Sequence, residues 1–168
     1  MIDADEVVHE LMRQGSGVYD AIVAAFGREV VSGDGEIERG ELGRIVFNDP
    51  AALRRLEEIV HPAAGLEVRR RALEAETPVV VIEAIKLIEA GWHHTCQALW
   101  VTTCPTEQQI GRLMAERALS FKEAEQRVNA QPPQMEKIRL ADVVIDTSGD
   151  MAETRRQVKL AWQAIEKG

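Results

Sequence analysis

Three side chains near the start of the chain, Asp3, Asp5 and His9, have types and spacing that suit proton and phosphate chemistry. Asp5 and His9 are four residues apart, so on a helix they share a face. Asp3 and Asp5 flank the end of a short apolar stretch, where carboxylates can accept a proton or meet a metal-bound phosphate. An aspartate at a helix start also has a plainer use, as its cap, and spacing alone leaves both uses open. A second charged set, Glu83, Lys86 and Glu89, follows an apolar run. Charges directly after a buried strand are costly unless paired or used. Pairing of Lys86 with Glu83 or Glu89 is the structural alternative there. A third set is basic: Arg112, Arg117, Arg127, Lys137 and Arg139. Guanidinium groups on a mobile helical segment suit phosphate recognition. The alternative is a solvated face paired with Glu116, Glu123 and Glu136. His93-His94 lacks partners at metal-ligand spacing, so no metal site is expected. His61-Pro62 marks a kink that leaves the imidazole free to face a cleft.

The elements that must position these groups are read from periodicity and punctuation. Helices are expected over 5–14, 18–26 and 38–47, and from Asn48-Asp49-Pro50, a cap followed by proline near the first helical position. His61-Pro62 is expected to interrupt that helix, with a longer one running on to about 76. Gly15-Ser16-Gly17 follows a helix instead of joining a strand to one, so it reads as a turn and not a phosphate cradle. Val79-Val80-Val81-Ile82, 98–102 and 143–146 are short apolar runs, the first rich in β-branched residues. They read as strands, the first covered on both faces. Helices at 106–117 and 120–131 lie between them, the second opening on Ser120…Glu123, a capping-box spacing. Pro132-Pro133 turns the chain, and a last helix runs to about Lys167. Strands alternating with helices imply a parallel sheet flanked by helices. Ligands bind such sheets at the carboxyl ends of the strands. That places Asp3 and Asp5, residues 83–89, Thr103, Cys104 and residues 146–149 as the site candidates.

Bulk properties narrow the classes. The 168 residues carry 20 basic and 28 acidic side chains, a net charge of −8, which does not favour nucleic acid as a partner. At 45% hydrophobic and 4% aromatic the chain has an aliphatic core. Cys96 and Cys104 fit reduced thiols. No apolar run approaches the roughly 20 residues needed to span a bilayer, and no signal pattern opens the chain. A cytoplasmic location is expected.

Several stretches together resemble dephospho-coenzyme A kinases. They are Ile2-Asp3-Ala4-Asp5…His9-Glu10, Tyr19-Asp20-Ala21-Ile22…Phe26-Gly27 and Asp34-Gly35-Glu36-Ile37…Arg39…Leu42…Ile45-Val46-Phe47-Asn48-Asp49-Pro50. Further on come Leu53…Leu56-Glu57…Ile59-Val60-His61-Pro62, Glu89-Ala90-Gly91-Trp92, Arg112-Leu113-Met114 and Ala141-Asp142-Val143-Val144-Ile145-Asp146…Ser148-Gly149. The resemblance implies a P-loop kinase-like parallel sheet flanked by helices, with a helical acceptor-binding insertion and a lid. In one kinase-like domain, about 5–76 would bind the acceptor, about 77–104 and 141–168 form the sheet core, and about 105–140 form the lid. The implied reaction moves the ATP γ-phosphoryl group, with Mg²⁺, to the ribose 3′-hydroxyl of dephospho-coenzyme A, the last step of coenzyme A synthesis. Asp5 would orient or deprotonate that hydroxyl. Asp3, His9, His61 and Glu89 would line the acceptor pocket. Arg117, Lys137 and Arg139 would serve the lid, and Asp146, Ser148 and Gly149 the adenine side. The resemblance leaves the oligomeric state open.

This chain departs from the family pattern in three places. No Gly-Lys dipeptide occurs in it, so the phosphate-loop motif G-x-x-x-x-G-K-[ST] is absent from these residues. The family's first, central strand, that loop and the next helix amount to on the order of 30 residues, much of one βαβ unit. Position 1 stands where the family has an apolar strand residue, often Val, and a GTG codon can start translation. A longer gene product is therefore the expectation. The competing expectation is a non-catalytic remnant that binds dephospho-coenzyme A or a partner chain. Second, Glu83 and Ile85-Lys86-Leu87-Ile88-Glu89 replace the family's Asp and Pro-Leu-Leu-Phe-Glu. Third, Glu116 stands where the lid arginine is expected, with Arg117 one place on, about 100° around the helix. These departures raise the further alternative of a different acceptor.

Overall fold

In the computed structural model, which describes residues 1–165, the chain folds into helices and small parallel sheets arranged as two compact units. The first unit is Met1–Trp92 and the second begins at His93.

The first unit opens with β1 (Ile2–Asp3) and runs directly into α1 (Ala4–Leu11). The Asp3 carboxylate caps α1, and the helix ends at Leu11, short of the expected 14, with Gly15 at φ +88° in the turn that follows. Ser16 caps α2 (Gly17–Phe26) by accepting the Tyr19 N–H. A tight turn at 32–35 is closed by an antiparallel bridge between Val31 and Ile37. It leads to α3 (Arg39–Asn48) and α4 (Pro50–Glu74), whose cap is Asp49. One cluster buries Val18, Ile22, Phe26, Val30, Ile37, Leu42, Val46 and Val60 between α2, α3 and α4. A second joins Ile2, Ala4 and Val7 to Ala64 and Val68 of α4.

Two expectations are corrected here. His61-Pro62 does not interrupt the helix: α4 is one 25-residue element with Pro62 inside it. Proline removes one backbone donor, but Val60, Ala64 and Val68 are buried around it and hold the helix on course. The run 79–82 is not covered on both faces. Only β2 (Ile82–Glu83) is strand, paired parallel with β1 at Ile2–Ile82 and Asp3–Glu83. Val80 and Ile82 turn into the second cluster, while Val79 and Val81 are exposed. That period of two belongs to a half-buried strand.

In the second unit β3 (Trp100–Thr103) pairs parallel with β4 (Val143–Asp146) over four residue pairs. Between them lie α5 (Thr106–Arg117), α6 (Phe121–Asn129) and α7 (Gln134–Leu140). Ser120 and Glu123 form the expected capping box of α6. Sequence reading missed α7, whose seven residues follow a proline pair. The last element, α8 (Met151–Ile165), packs on β4. The expected extension to Lys167 lies outside the described residues. Among the described residues no helix is long and apolar enough to cross a membrane.

Candidate functional site

Polar groups gather at the carboxyl ends of β1 and β4, one in each unit. At the end of β1, Asp3 Oδ1 accepts the Asp5 N–H at 2.9 Å and the Glu6 N–H at 3.2 Å. The capping role is therefore the one its geometry shows. Asp5 and His9, one helical turn apart on α1, are both exposed. The second cluster and the Glu10–Arg71 ion pair show how α1 lies against α4. Val7 and Val68, one turn before that pair in each helix, share the cluster, so the two helices run the same way. His61, three residues before Ala64, accordingly lies toward the Asp3 end of α1.

His61 is half-buried and lines an open groove of about 270 Å³ with Arg54, Glu57, Glu58 and Pro62. Its ring meets Trp92 edge to face, with centroids 6.4 Å apart and planes at 72°. Lys86 pairs with neither expected partner. Its ammonium meets Glu57 of α4 instead, because the turn at 85–90 carries it away from Glu83 and toward that helix. The turn ends at Gly91, φ +74°, where the Gly91 N–H donates to Ile88 O at 2.9 Å and the Trp92 N–H to Leu87 O at 3.0 Å. That bond pair is a Schellman cap, which asks for a left-handed residue at the position of Gly91. Glu89 is exposed on the same turn.

Arg71 also bonds Glu67 at 2.8 Å, and Arg70 bonds Glu67 at 2.7 Å. Hydrogen bonds from Arg70 and then Arg71 hold the Glu67 carboxyl at about 2. This network ties the far ends of α1 and α4 together, away from His61.

The end of β4 is built differently. The Thr147 N–H and Oγ1 both donate to Thr103 O, at 2.8 and 3.0 Å. The amide of Gln157 on α8 brackets Asp146: the Asp146 N–H donates to Gln157 Oε1 at 2.9 Å, and Gln157 Nε2 donates to Asp146 O at 2.8 Å. From α5, Gln108 Nε2 donates to Ser148 O at 3.2 Å, and Arg112 Nη1 donates to Thr147 Oγ1 at 3.1 Å. Asp146 itself accepts the Ser148 N–H at 2.8 Å, and hydrogen bonding from Ser148 holds its carboxyl below the usual carboxylate range. Gly149 follows, exposed.

Arg112, though exposed, bonds away from its own helix and braces the loop after β4. The lid candidates lie on two helices. Arg117 is exposed in the last turn of α5 and Arg139 is exposed on α7. Lys137 Nζ donates to Gln131 Oε1 at 3.2 Å. Sequence reading missed Gln108 and Gln157 as loop braces. Only the position of Gln108, in the first turn after β3, hinted at its role. Among the described residues no group of three or more His, Cys, Asp or Glu side chains gathers as a metal site would require.

The two units thus define a protein of the α/β class whose polar groups sit at the carboxyl ends of parallel strands, where such folds bind ligands. The CoaE dephospho-CoA kinase family model matches residues 1–153. The chain belongs to the dephospho-CoA kinase family. It is 44% identical over 167 residues to a dephospho-CoA kinase of Symbiobacterium thermophilum, covering 98% of this chain and 70% of that one. It is 43% identical to a dephospho-CoA kinase of Geobacter metallireducens, covering 99% and 85%. Its structure resembles a crystal structure of a Thermus thermophilus protein, with TM-score 0.80, 28% identity and coverage of 97% and 83%. A dephospho-CoA kinase from Campylobacter jejuni matches with TM-score 0.67, 26% identity and coverage of 99% and 85%.

Proposed function

We propose that the chain serves ATP-dependent phosphorylation of the ribose 3′-hydroxyl of dephospho-coenzyme A. The observation that carries this reading is the family match over residues 1–153, joined to an exposed Asp5 at the carboxyl end of β1. Asp5 orients the acceptor hydroxyl or takes its proton. With Asp3 Oδ1 committed to the α1 cap, Asp5 is the freer carboxylate at that strand end. His9 and His61 flank the acceptor, and Glu89 lies on the turn that borders it. In the second unit the braced loop at Asp146, Ser148 and Gly149 meets the adenine side of the nucleotide, and Arg117, Lys137 and Arg139 serve the lid. The helical part at about 5–76 is the acceptor region, and about 105–140 the lid region, of one kinase-like domain. Mg²⁺ enters with the ATP phosphates, where it neutralises charge.

Phosphoryl transfer rests on positioning and on neutralising the donor's charge. The 168 residues contain no Gly-Lys. This reading therefore gives them the acceptor, the adenine side and the lid, and leaves the donor phosphates to a loop they do not contain. The second reading is a chain that binds dephospho-coenzyme A without transferring phosphate. Calorimetry with dephospho-coenzyme A, paired with an ATP-dependent phosphorylation assay, separates the two. Binding with turnover supports the kinase, and binding without turnover supports the second reading. Absence of binding sinks both.

A further inference from the structure

We propose that Trp92 is a positioning residue that fixes the orientation of the His61 imidazole; the inference rests on reading His61 as an acceptor-pocket group. Glu57, His61 and Gly65 lie four residues apart on α4 and so form one stripe along the helix. The segment from Lys86 to Trp92 is pinned along that stripe at both ends. Its first pin is the Lys86–Glu57 ion pair, one turn before His61. Its second is the Trp92 indole, lying over Gly65 one turn after His61. A Cβ at Gly65 would meet Trp92 Nε1 at 2.8 Å and Cε2 at 3.3 Å, so the indole's approach requires glycine there. Glycine in the middle of a helix is otherwise disfavoured, and this contact is what the structure gives in return. The left-handed Gly91 makes the approach possible from the other side, because the Schellman cap turns the chain so that Trp92 faces α4.

Between the two pins His61 meets the indole edge to face at 6.4 Å. An imidazole lining an open groove would otherwise lose rotamer freedom when a ligand arrives. The indole orders it beforehand. Trp92 therefore acts through His61 and need not touch the acceptor.

The test uses the full chain with labelled histidine rings, following the His61 resonances by NMR and the affinity for dephospho-coenzyme A by calorimetry. Trp92→Leu should move the His61 ring resonances and weaken binding about tenfold, the scale of one lost edge-to-face contact. Trp92→Phe should restore most of both, since a phenyl edge can replace the indole. Gly65→Ala should reproduce the loss while keeping the indole and improving helix propensity, which separates displacement from misfolding. A purely structural Trp92 would lower the melting temperature and leave the affinity of the folded protein unchanged. That result, in both Trp92→Leu and Gly65→Ala, overturns the proposal. His61→Ala distinguishes the underlying reading: unchanged affinity there removes His61 from the acceptor pocket, and with it the function assigned to Trp92.

Discussion

The ends of β1 and β4 are two strand termini of the same kind, held in opposite ways. After β4 the chain is bound from three sides: Thr103, the amides of Gln108 and Gln157, and the Arg112 guanidinium. After β1 one carboxylate caps a helix while Asp5 and His9 stand exposed. A loop held by hydrogen bonds from several elements is preorganised for a rigid ligand edge, such as a base. An open carboxylate is free to change partner as a proton moves. On the proposed function, recognition belongs to the braced terminus and chemistry to the open one.

The largest effect should come from the open end. Asp5→Asn should lower kcat for dephospho-coenzyme A phosphorylation by about 10²–10⁴, the usual worth of a general base, with an unchanged melting temperature. A loss of less than threefold would take Asp5 out of the chemistry. The braced end comes next. Arg112→Ala should weaken nucleotide affinity about tenfold, the scale of one lost hydrogen bond from a charged group, and leave dephospho-coenzyme A affinity alone. Hydrogen exchange at the Thr147 amide should speed up in the same variant. If both ligands weaken equally, the two termini do not divide the work.

Smaller effects probe stability. Asp3→Ala should cost about 1 kcal/mol in urea unfolding through loss of the α1 cap, and Asp3→Asn should recover most of it. Loss of activity in Asp3→Asn at unchanged stability would show that the carboxylate does more than cap. The smallest effect concerns Glu67. Its folded carboxyl sits at about 2 against an ordinary 4.5. A depressed folded value means the network's contribution is present above about 4.5 and is lost as the pH falls toward about 2. Unfolding free energies compared between the parent and Glu67→Gln should converge across that window. Because its partner Arg70 is half exposed to solvent, the gap above it should be small.

Local chemistry explains which features were legible. Asp49-Pro50 and Ser120…Glu123 announced helix starts because a cap is a short-range hydrogen bond between residues two or three apart. The run Val143–Asp146 stood out through apolar continuity, and α5 through periodicity bounded by proline. Val79 and Val81 were misjudged because β-branched residues favour strands whether or not both faces are covered. Pro62 was misjudged because burial on either side of a proline is set by α1, α2 and α3, and local propensity does not see them. The candidate site was legible only where residues sit near each other in the chain, as Asp3, Asp5 and His9 do.

Sequence alone determined the family, the aliphatic core and the residue types at each strand end, since these follow from identity and spacing along one chain. Only tertiary structure decided that Lys86 meets Glu57, that Arg112 and Gln157 brace the loop after β4, and that Gly65 makes room for Trp92. Those contacts join residues 27 to 35 positions apart or, for Gln157, cross from a helix back to its preceding strand. Their energies depend on distances and angles that helix packing sets, and no local pattern encodes them.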